Sequence, residues 1–200
     1  MALMIKTPPA SEPVSLTEAK SFLRITDSDD DALITSLITA VRQKAESWTR
    51  CSFITQTWTL WLDLVPEGFN VSIPLSPLQS ITHIKSYDLA NTASTFDSTN
   101  YLVDTASTPG RIALNDGQAW PIALRRINVL EVEFVAGFGD ASSIPESIKQ
   151  GILQWIKLLF ANKSKLYESD ESTSGLLELN RIPIPPAVMV LWEPYRVFKI

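Results

Sequence analysis

Hydrophobic positions change their period twice along the chain, and each change marks a new kind of element. Ser15 and Glu18 have the spacing of a capping box, with a serine N-cap and a glutamate three residues on. Leu16, Ala19, Phe22 and Leu23 then give one apolar face, which predicts a short helix over 15–25. The acidic run Asp27, Asp29, Asp30 and Asp31 suits the N-terminal pole of a second helix. Leu33, Ile34, Leu37, Ile38, Val41, Ala45 and Trp48 continue it at three- and four-residue steps, predicting a helix over 29–50.

The period then falls to two. Trp58, Leu60, Leu62 and Leu64 alternate with Thr57, Thr59, Trp61 and Asp63, as on the two faces of a strand. Pro66-Glu67-Gly68 reads as a turn. Val71, Ile73 and Leu75 predict a second strand, with Pro74 placing it at an edge. Further strands are predicted at Ile81–Tyr87, Tyr101–Val103 and Arg111–Leu114. Asn91–Asn100 reads as a polar loop. The clearest strand is Asn128–Val135: Leu130, Val132 and Phe134 face one way, Glu131 and Glu133 the other. Helical spacing returns after Ile144-Pro145-Glu146, with Ile148, Ile152, Trp155, Ile156 and Leu159 as the stripe of a helix over 145–167. Leu158 and Phe160 widen that stripe, so part of this helix is expected to meet another subunit.

The flanks read differently. Pro8, Pro9 and Pro13 make residues 1–14 an extended arm. Residues 168–182 begin with an acidic, polar run and read as a loop. The tail 183–200 is apolar and rich in proline, which predicts an extended segment packed on its own domain or on a partner. The fold expected is α+β: a small bundle of three main helices with a mostly antiparallel β-subdomain inserted over residues 54–136, and an extended C-terminal tail.

Composition narrows the chemistry. The chain has 200 residues, 45% of them apolar, enough for a sizeable core. Lys and Arg number 17 against 22 Asp and Glu, a net charge of -5, which argues against gripping nucleic acid through its phosphates. One Cys and one His leave no intrachain disulfide and no Cys/His zinc cluster. Cys51 reads as a small buried residue. No apolar run approaches the ~20 residues of a membrane span, and the N-terminus lacks a signal-peptide pattern, so a soluble protein is expected.

The candidate catalytic groups are sparse. Gly137-Phe138-Gly139 follows a strand but lacks the third glycine of a dinucleotide loop, and reads as a tight strand exit. The Asp27–Asp31 run lacks the glycine and distant glutamate of a calcium loop. Glu131 and Glu133 could form a carboxylate pair, and His83 is the one imidazole available as a base, with no nucleophile elbow to serve. Trp58 and Trp155 fall at core positions; Trp61 and Trp192 are candidate interface anchors.

The order of elements resembles the head–tail connector proteins (adaptor, or head-completion) of long-tailed phages, prophages and gene transfer agents. The resemblance is carried by Pro13-Val14-Ser15-Leu16-Thr17-Glu18-Ala19-Lys20 with Phe22-Leu23-Arg24, by Ile73-Pro74-Leu75-Ser76-Pro77-Leu78, by Val132-Glu133-Phe134-Val135-Ala136-Gly137-Phe138-Gly139, and by Ile184-Pro185-Pro186-Ala187-Val188 with Pro194-Tyr195-Arg196-Val197. Gln79-Ser80 and the acidic loop depart from the family pattern.

The resemblance implies a non-enzymatic virion protein without cofactor or metal. It would form a homo-oligomeric ring, dodecameric in most of the family, docked on the portal at the head–tail neck. The ring would extend the DNA channel, pass DNA without reading its sequence and receive the stopper or tail. The portal-docking role would fall on Ile184, Val188, Leu191, Trp192, Pro194, Tyr195, Arg196, Val197 and Phe198, and subunit contacts on Leu158, Phe160 and Trp61. The alternatives are a stopper or tail-terminator protein, or, from another class, an enzyme built on a carboxylate or serine site.

Overall fold

The computed structural model describes residues 1–162 and 183–198; the expected acidic loop lies outside the described residues. The strands are β1 (Ala2–Thr7), β2 (Gln56–Leu62), β3 (Asn70–Ser72), β4 (Leu78–Tyr87), β5 (Ala93–Phe96), β6 (Tyr101–Asp104), β7 (Arg111–Leu114) and β8 (Leu130–Ala136). The α-helices are α1 (Leu16–Leu23), α2 (Asp31–Thr49), α3 (Glu146–Ala161) and α4 (Pro186–Trp192). The α+β class expected from the periodicity is therefore the class observed. Among the described residues, 11–49, 139–162 and 183–196 form one compact unit, and 1–10 and 50–138 with Val197 and Phe198 belong to another.

In the helical unit, the capping box at the start of α1 is complete. The Ser15 side chain accepts from the Glu18 amide at 3.2 Å, and the Glu18 carboxylate accepts from the Ser15 amide at 2.7 Å. Hydrogen bonds from the Ser15 hydroxyl, at 2.7 Å, and the Ser15 amide hold the Glu18 carboxyl below its usual range. The helix stops where Arg24 adopts a left-handed conformation, φ 60°. Lys20 on α1 pairs with Asp31, the first residue of α2, at 2.6 Å. The α2 stripe buries Ile34, Leu37, Ile38, Val41 and Ala45. Arg42 is buried beside them, held by Glu12 and Glu46 at 2.7 Å each, so its charge is compensated on both sides. The α3 stripe buries Ile148, Ile152, Trp155, Ile156 and Leu159, and α3 packs against α1, α2 and α4.

The β-unit has two sheets. One has the order β1-β2-β8-β4-β5, the other β3-β7-β6, and all strand pairs are antiparallel. Leu60 on β2 and Ile84 on β4 both register with Val132 on β8. This puts Leu60, Ile84, Leu130, Val132 and Phe134 on one face, where they share a core with Val71, Ile73, Tyr101 and Ile112. Each such side chain contributes roughly 1.5–3 kcal/mol by leaving water. The alternation predicted for Asn128–Val135 is observed, since Glu131 and Glu133 lie on the opposite face.

Three local expectations are corrected. Residues 2–7 of the expected arm are an edge strand, β1, paired in register from Ala2↔Trp61 to Ile5↔Trp58. The polar stretch expected as a loop contains β5, which pairs with β4. The C-terminal segment is helical over Pro186–Trp192 rather than extended, because Pro186 sits in the first turn, where it lacks no useful N–H.

Asp104 at the end of β6 gives the β-unit an acid-sensitive contact. It accepts from the Ser107 hydroxyl and amide, the Arg111 guanidinium and the Ala106 amide, which lower its pKa from 3.8 to about 2. A depressed folded pKa adds stability that is present above 3.8 and lost as pH falls toward about 2. Asp104→Asn is expected to flatten the stability curve across that window, as measured by urea unfolding at stepped pH.

Candidate functional site

The C-terminal segment is built by α4 and the 3-10 turn that follows it, Glu193–Tyr195. Val188 and Trp192 lie four residues apart, hence on one face of α4, and both are buried. The Trp192 indole N–H donates to the Ile148 carbonyl of α3 at 3.2 Å. Its ring meets Trp155 edge-on, with centroids 5.9 Å apart, and Trp48 at 6.4 Å. Gly151 on α3 makes room for it, since a Cβ there would overlap the indole nitrogen. The Arg196 guanidinium lies over the Trp48 ring at 4.5 Å, and the Tyr195 and Ser147 hydroxyls are hydrogen-bonded at 2.9 Å.

This geometry divides the nine residues expected to dock a partner. Ile184, Val188, Trp192 and Val197 are buried. Their apolar surface is packed within the chain itself. Leu191 and Tyr195 are half-buried, while Pro194, Arg196 and Phe198 are exposed. Val190, absent from the expected set, is 73% exposed on the outer face of α4. Helical spacing would have found it once Val188 and Trp192 were known to point inward.

The expected subunit-contact residues are dispersed. Leu158 is exposed on α3 and Phe160 half-buried. Trp61 on β2 is half-buried and packs on Tyr87 of β4, 5.7 Å between centroids. The Arg125 guanidinium lies over both rings, 3.9 Å from the Tyr87 centroid and 5.9 Å from that of Trp61. Two hydrogen bonds to the Asn128 carbonyl hold Arg125 there.

The three candidate acid–base residues do come together. His83 of β4 registers with Glu133 of β8, and Glu131 lies two residues on along the same face. His83 Nε2 is 3.1 Å from Glu131 Oε1 and 3.9 Å from Glu133 Oε2. Tyr87 donates a hydrogen bond to Glu131 Oε2, and Lys6 of β1 pairs with Glu133. Burial pushes the Glu131 carboxyl up, but hydrogen bonds from Tyr87 and His83 outweigh it and leave the group below its ordinary value. Against its bond to Glu131, the Tyr87 phenol is raised. Lys6 was not legible as a member, because nothing in the first seven residues announces a strand.

Among the described residues, His83 meets two carboxylates, Glu131 and Glu133, and no serine or cysteine. Among the described residues, the nucleophile–imidazole contact on which serine or cysteine chemistry depends is not formed at His83. Gly137 and Gly139 form the strand exit that the sequence suggested: Gly137 leaves β8 at φ +138° against the backbone of Ile54 and Thr55.

Residues 13–109 match the family model of the phage gp6-like head–tail connector protein. No curated protein matches the chain at a significant level. Among solved structures, the fold is similar to a chain in the neck of an empty gene transfer agent particle computed with C6 symmetry, with a TM-score of 0.76 and 21% identity. It is also similar to a chain in the virion of a native gene transfer agent particle, at 0.75 and 20%. A third is a chain in the neck of the native particle computed with C12 symmetry, at 0.69 and 21%. Each comparison covers 100% of this chain and 97% of the other, so the shared fold is that of the whole length. The chain is thus similar, through residues 13–109, to the phage gp6-like head–tail connector family.

Proposed function

We propose that the protein is a structural component of a phage-type virion neck, where copies form a ring on the portal and join the DNA-filled head to the tail. The observation that carries this reading is the family match over residues 13–109, on a chain whose whole length has the fold of gene transfer agent neck chains. A ring fits the C12 symmetry of one of those necks. The net charge of -5 suits a wall along which DNA slides without being held. The experiment is removal of the gene from the particle's genome. DNA-filled heads without tails are the expected product; fully tailed, infectious particles would defeat the proposal. A stopper role is distinguished by position, since a stopper would sit on the tail side of another ring rather than on the portal.

The docking surface is assigned to the outer side of the C-terminal segment: Val190, Pro194, Arg196 and Phe198, with the half-buried Leu191 and Tyr195. Side-by-side contacts are assigned to Leu158, Phe160 and Trp61, because a ring needs two different patches that meet head to tail. Val190→Asp places a charge on an exposed helix position. Its unfolding midpoint is expected to stay near the parent's, within the ~0.5 kcal/mol typical of surface changes, while binding to purified portal falls at least about tenfold. Pull-down and thermal unfolding on the same preparation separate the two effects.

A further inference from the structure

The outward face of the five-stranded sheet carries a convergent set of ligand atoms that the connector role does not use. We propose that His83, Glu131 and Glu133 form a binding site for a borderline divalent transition metal, with Zn²⁺ as the favoured ion.

The argument starts from register. His83 and Glu133 are cross-strand partners on β4 and β8, and Glu131 is the next residue of β8 on the same face. Their ligand atoms all lie within 4.8 Å of one another. Zn–N and Zn–O bonds are about 2.0–2.2 Å, so the ligand atoms of one ion sit about 3.0–3.6 Å apart. The 3.1 Å from His83 Nε2 to Glu131 falls within that range, and the 3.9 Å to Glu133 lies a few tenths of an ångström above it. One imidazole with two carboxylates favours zinc over magnesium or calcium, which prefer all-oxygen shells. The donors come from a sheet interior rather than a loop, and Glu133 is only 6% exposed. Tyr87 bonds Glu131 through Oε2 and so leaves Oε1 turned toward His83, the outer-sphere contact that orients a metal-binding carboxylate. A fourth position is left to water.

Lys6 is the competitor. Its ammonium pairs with Glu133 through Oε2, the same oxygen that faces His83. Lys6 stands on an edge strand and its side chain is 54% exposed, so it can swing into solvent when a cation takes its place. Metal and ammonium therefore exclude each other at Glu133, which gives the site a signature that nonspecific binding to surface acids lacks.

The test is isothermal titration of the intact chain with Zn²⁺, and with Mg²⁺ for comparison. One saturable Zn²⁺ site is expected, with Mg²⁺ much weaker. His83→Ala should weaken Zn²⁺ at least about tenfold, and Tyr87→Phe about tenfold through loss of orientation. Lys6→Met should bind Zn²⁺ more tightly than the parent, an opposite sign that misfolding cannot produce. Circular dichroism on each variant confirms the fold. Absence of a saturable site, equal affinity in His83→Ala, or unchanged or weaker affinity in Lys6→Met overturns the proposal.

Discussion

Trp192→Ala is expected to destabilise the helical unit by about 3–5 kcal/mol, the range for truncating a fully buried aromatic side chain. Trp192 is 0% exposed, packs against Trp48 and Trp155, and donates its indole N–H to the Ile148 carbonyl. Alanine leaves a cavity that α3 cannot collapse into, because Gly151 brings no side chain to fill it. The measurement is the urea midpoint of the purified protein, with Trp192→Phe as the milder comparison. Removal of residues 181–200 is expected to cost folding as well as docking. The alternative, that the tail is a separable docking arm, would predict no loss of stability in either variant.

Gly137→Ala is expected to cost about 2–6 kcal/mol, from two sources that a side chain cannot avoid. At φ +138° the backbone is in a region that L residues rarely adopt, a strain of about 1–3 kcal/mol. The new Cβ would also lie 2.6 Å from the Ile54 carbonyl oxygen, and a backbone atom cannot step aside as a flexible side chain could; such overpacking costs about 1–3 kcal/mol more. Gly137 donates to the Pro77 carbonyl, and its own carbonyl accepts from Gln79, so the strained turn also ties β8 to the start of β4. Differential scanning calorimetry should show a markedly lower melting temperature. By contrast, Gly117→Ala should be far milder, since a Cβ there meets nothing within 4 Å although φ is +77°.

The elements legible in the sequence were those whose side chains divide cleanly between core and solvent. The Ser15–Glu18 capping box, the α2 and α3 stripes and the alternation around Val132 all do so. β1 does not. Of its six residues only Leu3 is even half-buried, so backbone pairing with β2 holds it in place and leaves no apolar period to read. β5 fails for the same reason, with three exposed residues and a half-buried Phe96. In the tail, prolines argued for an extended chain, yet Pro185 and Pro186 stand where proline starts a helix. The apolar residues there were recognised as needing a partner surface. That their partner includes α3 of the same chain depended on the close approach at Gly151, a contact 41 residues away in sequence from Trp192. The His83–Glu131–Glu133 cluster was visible only as separate candidates, because strand register decides which of them meet.

These corrections leave the connector reading intact and narrow the surface that performs it. The proposed docking surface is the smaller exposed set on the outer side of α4 and the following turn, above a tryptophan seat that holds the segment in place. The most direct measurement is electron microscopy of the purified protein mixed with the portal from the same particle. The account predicts a ring of copies of this chain stacked on the portal, coaxial with its channel, and loss of that ring with Val190→Asp. A bare portal beside free subunits, under conditions where native necks are stable, would contradict it.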